Sequence, residues 1–440
     1  MRKNRDRMSK QHGVARRKRP STTAAVVLSS LNVQTLLAKG SMAGRLGAMS
    51  PTLLTGVALV AAVAVAFSIG LFDLSGGRFS PDSVRDWVVT RAALGGLDPY
   101  ESVSELAERF GTEFIPVAPE ELGSGRAVHP RLPGALLLQV PWALLPLPIA
   151  VFVSRVSALV GFAMVIVLAL RLPERRTLSP ILLLPLLVAH PFVGYSVAFG
   201  NSGAWLGALL VGALIMVRSD RPNIAGVFVG VASVLRAFPL LFLVLAWRRG
   251  HQRVVLSGIV TFVVLNVVAL AVFDISLFRA VAALGTSGSA WLTYPWNLSF
   301  ASWLARLVGS VAGFITVFAA LVLTWLVARS RIDERAAWAV VGIVGLTLSP
   351  LSWDSYRSLL VLPLVLLWSS RRTAARVAVF VGTLAPYLVR PYGATAANVT
   401  QLVVESSLVG ALLWLGTRHG GEAGPAGRAE WPGWKGPVAC

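Results

Sequence analysis

Cysteine is almost absent from this sequence: the chain of 440 residues has one, Cys440, and it is the last residue. Disulfide frameworks, cysteine-based zinc sites and a cysteine nucleophile inside the fold are therefore excluded. The five histidines form no i, i+4 pair, no carboxylate pair stands at ligand spacing, and no glycine-rich phosphate loop or dinucleotide fingerprint occurs. The sequence therefore favours neither a metal nor another cofactor, and we expect none.

Charged residues are also scarce, at 14% of the chain, whereas 55% of the residues are hydrophobic and the mean hydropathy is +0.70. Soluble domains carry about 25% charged residues, so this composition predicts a membrane protein. The net charge of +20 would indicate a nucleic-acid partner in a soluble protein. Here the basic residues cluster at the ends of apolar segments, which is typical of cytosolic flanks of membrane spans. We therefore expect membrane lipids, and no nucleic acid, as partners of these charges.

The apolar segments predict an all-α polytopic protein of about twelve transmembrane helices in the plasma membrane, with both termini cytosolic. The predicted divisions are a basic tail over 1–20, an unassigned and interfacial-like segment over 21–50, a transmembrane domain over 51–416 with its first extracytoplasmic loop over 73–132, and a C-terminal tail over 417–440. The predicted spans are 51–72, 148–170, 177–199, 203–217, 254–273, 310–328, 337–348, 358–368, 377–388 and 399–415. Residues 134–146 are too short to span and predict an interfacial or re-entrant helix, and 274–308 are predicted as an outer loop.

Residues 223–247 form an exception, because basic clusters of cytosolic type flank this apolar segment at both ends. A single span would place one cluster outside. Two short helices that meet near Arg236 and Pro239 keep both clusters inside. Irregular backbone at membrane depth requires a cavity or a protein environment, so this interpretation puts Arg236 at a solvated, functional tip.

The same phasing places the unusual polar motifs together on the outer side, where ionisable and amide groups are candidates for function. These motifs contain Asp86, Asp98, Tyr100, Asn201, Arg236, Asn297, Trp353, Asp354 and Tyr356. Structural interpretations compete with the functional ones. Asp98-Pro99-Tyr100 is typical of a turn that anchors packing, Asn201 and Asn297 could satisfy helix ends, and Arg236 could snorkel.

Several of these motifs resemble those of glycosyltransferase family 87, in the same order over about residues 50–390. Asp86-Trp87-Val88-Val89 followed by Asp98-Pro99-Tyr100 is similar to the family's first-loop signature. Further similarities lie in His129-Pro130-Arg131-Leu132-Pro133, Gly200-Asn201-Ser202, Leu235-Arg236-Ala237-Phe238-Pro239, Asn297-Leu298-Ser299 and Ser349-Pro350-Leu351-Ser352-Trp353-Asp354. The family contains actinobacterial α-mannosyltransferases and arabinofuranosyltransferases that use polyprenyl-phosphate sugars.

The resemblance implies a GT-C-like bundle with a catalytic Asp in the first extracytoplasmic loop. It also implies transfer of a sugar, mannose in the first instance, from a polyprenyl phosphate to a lipid-linked or cell-envelope glycan acceptor. An inverting transferase needs a base for the acceptor hydroxyl, which we assign to Asp86, and a cation for the departing phosphate, which we assign to Arg236. We expect Asp98, Tyr100, Asn201, Asn297, Trp353 and Asp354 to contact substrate.

Two departures from the family pattern leave alternatives open. The spacing from Asp86 to Pro99 is a few residues shorter than usual, and Asp82 would restore it as the base. Many relatives carry His after the Trp-Asp pair, where this chain has Ser355; its donor-phosphate role could pass to Tyr356 or Arg357. The competing functions are arabinofuranose transfer, a flippase or transporter for lipid-linked sugars, and a scaffold for envelope assembly. A transporter would favour two repeats with matching broken helices, and the second half has no counterpart of the break at Arg236.

Overall fold

The computed structural model describes residues 81–111, 131–173, 187, 196–197, 199–292, 297, 299–352, 354–369, 375, 379 and 400–413. Their regular elements are all helical, as the sequence predicts. They are α1 (Pro81–Leu94), α2 (Val103–Arg109), α3 (Pro133–Ala143), α4 (Leu147–Ala169), α5 (Gly203–Arg218), α6 (Pro222–Leu235), α7 (Leu241–Arg248), α8 (Gln252–Val272), α9 (Leu277–Leu292), α10 (Phe300–Val308), α11 (Val311–Arg329), α12 (Glu334–Leu348), α13 (Val361–Trp368) and α14 (Thr400–Leu413). Two 3-10 segments, Phe238–Leu240 and Asp354–Leu360, join them.

Three described helices, α4, α8 and α11, are long and apolar enough to cross a membrane, and six shorter apolar helices accompany them. They coincide with three of the segments that the sequence predicts as spans, 148–170, 254–273 and 310–328. On α8 the exposed residues Leu256, Ile259, Val260, Val263 and Val267 lie at positions i, i+3, i+4, i+7 and i+11. This spacing forms one apolar stripe along the helix, which is the surface that lipid would cover.

The predicted break in the apolar segment 223–247 is confirmed. Helix α6 ends at Leu235, and Arg236 has an extended backbone with φ −154° and ψ 139°. Pro239 explains the stop, because it lacks the N–H group that would donate to the carbonyl of Leu235 and continue the helix. After one 3-10 turn the chain continues as α7.

Glycines bring α6 and α8 into close contact. Gly226 of α6 lies against the backbone of Val254 and Gly258, and Gly230 lies against Gly258 and Thr261. Later residues of α6 thus meet later residues of α8, so the two helices run in the same direction. Helix α7, which joins them, must therefore run back, which is the hairpin that the charge pattern predicts. Small residues allow this kind of backbone approach.

The described residues pack around two main apolar clusters. The larger one lies between α4, α5, α6, α7, α12 and α13, and Trp338 of α12 is fully buried there, with its indole donating to the Leu210 carbonyl at 3.0 Å. A smaller cluster joins α1, α2 and α3 to α9 through residues such as Val88, Leu106 and Ala280. This second cluster holds α1, which carries the candidate base.

The segment 274–308, predicted as an outer loop, contains α9 and α10. The Ser299 hydroxyl caps α10 by accepting from the Ser302 N–H at 3.1 Å, a local signal that the hydropathy pattern hides. The predicted spans over 51–72 and most of 177–199 and 377–388 lie outside the described residues, as do both predicted tails and the segment 21–50.

Candidate functional site

The two candidate carboxylates lie one turn apart on α1, on the same face of the helix. Asp86 Oδ2 accepts from Arg131 Nη2 at 2.6 Å and from Gln139 Nε2 at 3.1 Å. Asp82 instead accepts from Arg85 on its own helix and from Asn201 Nδ2 at 2.7 Å. In these hydrogen bonds the two carboxylates share no donor.

Helix α1 is fixed along its length by side chains that donate to carbonyl groups of neighbouring elements. Ser83 donates to Phe199 O at 2.8 Å, and the Trp87 indole donates to Leu145 O at 2.9 Å. Arg91 donates to Ala143 O at 3.1 Å. These bonds tie the helix to the α3–α4 connection and to the turn before α5, so Asp86 has a defined position.

A cavity of about 300 Å³ opens beside Asp86, between α1, α3, α4, α5 and α6. Its polar wall contains Asp86, Gln139, Asn201 and Ser202, and its remaining wall is mainly apolar, formed by Trp87, Leu138, Trp142, Ala150, Ala158, Trp205, Leu209, Val231 and Leu235. The indole of Trp205 donates to Ser157 at 2.9 Å, and that of Trp87 is bonded to Leu145. Both rings therefore offer carbon to the cavity, which suits an amphiphilic ligand with one polar end.

Arg236 and Tyr356, both predicted to bind the donor phosphate, lie together. The guanidinium carbon of Arg236 is 4.5 Å from the centre of the Tyr356 ring, a cation–π distance. Arg236 also lies within electrostatic reach of Arg85, Arg131 and Asp86. Among the described residues no carboxylate forms an ion pair with Arg236. Within the described residues, the positive charge of Arg236 therefore has no carboxylate as an ion-pair partner.

Asp98 and Tyr100 form a turn that is fastened to α9. Asp98 Oδ1 accepts from the Tyr100 N–H at 2.9 Å, and its Oδ2 accepts from Arg279 Nε at 2.6 Å. The Tyr100 hydroxyl donates to the carbonyl of Arg131 at 3.1 Å. Burial raises the pKa of this phenol, and the nearby Asp98 charge raises it further, so it remains a neutral donor. These contacts agree with the structural interpretation, in which Asp98-Pro99-Tyr100 is a turn that anchors packing, rather than with direct contact to substrate.

Asn297 joins two of the predicted motifs. Its amide group donates to Pro350 O at 2.7 Å and to Trp291 O at 3.2 Å, and its oxygen accepts from the Ser352 N–H at 3.0 Å. Asn297 is fully buried. Trp353 lies outside the described residues, and Asp354 begins the following 3-10 segment.

Arg357, the third candidate for the donor phosphate, is buried and forms an ion pair with Glu405 of α14 at 3.2 Å. Glu405 is also fully buried and accepts from Thr347 of α12 and from Gln401, the latter at 3.0 Å. This network links α12, the Asp354–Leu360 segment and α14 within the bundle.

The structure places four further residues in these two networks, and the sequence predicts a role for none of them: Arg85, Arg131, Gln139 and Glu405. Gln139 and Glu405 did carry a signal, since each is a polar residue within an apolar segment. Arg131 stands in one of the family-like motifs, but 45 residues separate it from Asp86 along the chain. Its pairing with Asp86 depends on the fold and cannot be inferred from spacing.

The family model of glycosyltransferase family 87 matches residues 132–350, about half of the chain. The matched segment contains Asn201, Arg236 and Asn297, whereas Asp82, Asp86 and Arg131 precede it. No curated protein matches the chain significantly.

Proposed function

Because the chain belongs to glycosyltransferase family 87 and is therefore a glycosyltransferase of the membrane, we propose that it uses a polyprenyl-phosphate sugar as donor. The proposed sugar is mannose, and the proposed acceptor is a lipid-linked or cell-envelope glycan on the extracytoplasmic face. The basic clusters at the predicted cytosolic helix ends support this orientation. A multi-pass topology with both termini cytosolic is part of the proposal.

The observation that carries the mechanism is the position of Asp86 in the wall of the cavity. An acceptor hydroxyl oxygen attacks the anomeric carbon, the bond from that carbon to the phosphate oxygen breaks, and the hydroxyl proton passes to the Asp86 carboxylate. Attack opposite the leaving group inverts the anomeric configuration. Asp82 suits the role less well, because it is not among the residues that line this cavity and its two oxygens accept from Arg85 and Asn201.

The leaving group is a lipid monophosphate, so negative charge develops on the departing oxygen. This cluster contains three positively charged side chains, Arg85, Arg131 and Arg236, and two carboxylates, Asp82 and Asp86. One positive charge is therefore in excess, and it supports binding of an anion. Arg236, stacked on Tyr356, is the proposed phosphate ligand.

The apolar wall of the cavity supports a prenyl substrate. The ring faces of Trp87, Trp142 and Trp205 and the side chains of Leu138 and Leu235 would contact the isoprene units nearest the phosphate. The polar wall at Asp86, Gln139 and Asn201 would then face the reacting sugar.

The test is transfer of labelled mannose from polyprenyl-phosphate-mannose by the purified protein in lipid nanodiscs, with an envelope lipid extract as acceptor. Asp86→Asn should reduce transfer by about 10²- to 10⁴-fold, the range of general-base catalysis. Asp82→Asn, on the same helix face, is the matched control and should retain much more activity. Undiminished transfer by both variants would refute the mechanism. EDTA should have no effect, and loss of activity that Mg²⁺ or Mn²⁺ restores would refute the expected metal independence.

A further inference from the structure

The carboxylate of Asp86 is held at one oxygen by two donors that are themselves fixed. Arg131 Nη2 and Gln139 Nε2 both reach Oδ2, at 2.6 and 3.1 Å. The Arg131 side chain is completely buried, whereas the Asp86 side chain is 12% exposed and lines the cavity. The Gln139 oxygen accepts from Thr90, one turn beyond Asp86 on α1, at 3.2 Å. The amide of Gln139 is thereby oriented with its nitrogen towards the carboxylate.

Arg131 is positioned from its other side by the turn at Asp98 and Tyr100. The Tyr100 hydroxyl holds the Arg131 carbonyl, and Arg131 Nη1 donates to Ser202 at 3.3 Å. Arg279 of α9 fixes the turn, because it bonds both Asp98 Oδ2 and the Tyr100 carbonyl. A continuous chain of contacts therefore runs from α9 through the turn to Arg131 and on to Asp86.

We propose that Arg131 and Gln139 are positioning residues for Asp86, and that the Asp98–Tyr100 turn acts on the reaction through Arg131 rather than by contact with substrate. This inference rests on the proposed role of Asp86 as base. It gives a function to a turn that lies outside the cavity wall. It also makes the buried Arg131 charge a determinant of the pH range of the enzyme.

The charge of Arg131 favours the ionised form of the base. Among the described residues, the cations Arg85 and Arg236 also act on Asp86, the Asp82 carboxylate lies one turn away on α1, and the Tyr356 phenol faces both cations. An opposite charge in contact lowers the pKa of a carboxyl group by about 1–3 units. Loss of Arg131 should therefore raise the pKa of Asp86. Activity needs the ionised carboxylate, so as the pH is lowered it should be lost at a higher pH than in the wild-type enzyme.

The first experiment measures the pH dependence of kcat in the full-length enzyme with saturating polyprenyl-phosphate-mannose. Arg131→Gln should move the acidic limb upward by about 1–3 pH units. Arg131→Lys should restore the limb but only part of kcat, because an ammonium group lacks the planar fork of the guanidinium. Arg85→Gln is the matched control, since it removes an equal charge from the same cluster, and Arg85 donates to Asp82 and not to Asp86 in the contacts described above. An equal shift in Arg85→Gln would overturn the specific role of Arg131.

Tyr100→Phe provides a second test. This variant keeps the buried Arg131, so the test does not require the protein to fold without that arginine. It removes one hydroxyl group, and kcat should fall about three- to tenfold with the donor KM unchanged. An unchanged kcat, or an effect on KM alone, would overturn the role of the turn. Gln139→Met, of similar size, should likewise lower kcat.

The role of Asp86 as base and the positioning role of Arg131 are refuted by different results. If Asp86→Asn retains full transfer, the proposed base is wrong. If Asp86→Asn is inactive while Arg131→Gln keeps the wild-type acidic limb, the base stands and the positioning role is refuted.

Discussion

Two arginine–carboxylate pairs in this protein differ in what their carboxylates meet. In the pair Arg131–Asp86 the arginine is buried but the carboxylate reaches the wall of a cavity. In the pair Arg357–Glu405 both side chains are enclosed, with exposures of 1% and 0%. The same two functional groups thus occur once beside a cavity and once in the enclosed interior of the protein. Access, more than the presence of charge, separates a candidate catalytic group from a structural one.

The largest expected effect would come from removal of one member of the enclosed pair. Glu405→Leu removes the carboxylate that pairs with the buried Arg357, which costs about 3–5 kcal/mol of stability. Thermal unfolding in detergent should show a large fall in Tm. The double variant Arg357→Leu/Glu405→Leu should recover much of the loss, because an apolar pair needs no desolvation of charge. Equal stability of wild type and Glu405→Leu would show that the enclosed pair is not a structural element.

The next effect concerns Arg236, which forms no ion pair with a carboxylate of the described residues. Arg236→Gln should lower kcat/KM for the donor by about 10²-fold, as loss of one charge-stabilising group does, with little change in Tm. Arg357→Gln is the control from the enclosed site, and it should lower Tm more than kcat/KM. Steady-state kinetics and thermal unfolding of both variants measure these two effects, on kcat/KM and on Tm. The reverse order would contradict the division between the two sites.

A smaller effect tests how tightly the open site is packed. Gly200 has φ +59°, and a Cβ atom there would collide with the Ser83 hydroxyl, whereas Gly250 has φ +85° and open space around it. Gly250→Ala should cost only the backbone strain, roughly 1–2 kcal/mol. Gly200→Ala should cost about 1 kcal/mol more, since Ser83 would lose its bond to Phe199. Equal losses of Tm would indicate that Ser83 adapts freely.

The smallest effect is a pH dependence at Tyr100. Its pKa is raised in the folded protein, so the protonated phenol stabilises the fold fully below the unfolded pKa of about 10. That contribution is lost as the pH rises towards the folded pKa. The stability difference between wild type and Tyr100→Phe should therefore shrink above about pH 10. Unfolding at several alkaline pH values checks this, and a constant difference would contradict it.

The sequence predicts those features of this molecule that depend on residues close together in the chain. The span at α4 and the break at Arg236 follow from hydropathy, basic flanks and Pro239, all within a short window. Helices α9 and α10 were missed, because their apolar faces alternate with polar residues and resemble a loop in a hydropathy average.

The candidate site was predictable in its residue types but not in its pairings. Asp86, Asn201 and Arg236 stand out as polar residues between apolar segments. Whether Asp86 or Asp82 faces a cavity depends on Arg131, Gln139 and Asn201, which come from other parts of the chain. Similarly, the pairing of Arg357 with Glu405 joins segments that are 48 residues apart. Such contacts are set by tertiary packing, which composition and spacing do not encode.

The parallel contact of α6 and α8 has a consequence for biosynthesis. Helix α6 has 14 residues and α7 has 8, and each falls short of the about 20 residues that cross a bilayer. Neither helix is long enough to partition into lipid alone as it leaves the ribosome. We therefore expect α6 and α7 to remain with the insertion machinery until α8 emerges, and the glycine contact at Gly226, Gly230 and Gly258 then closes all three into one inserted unit.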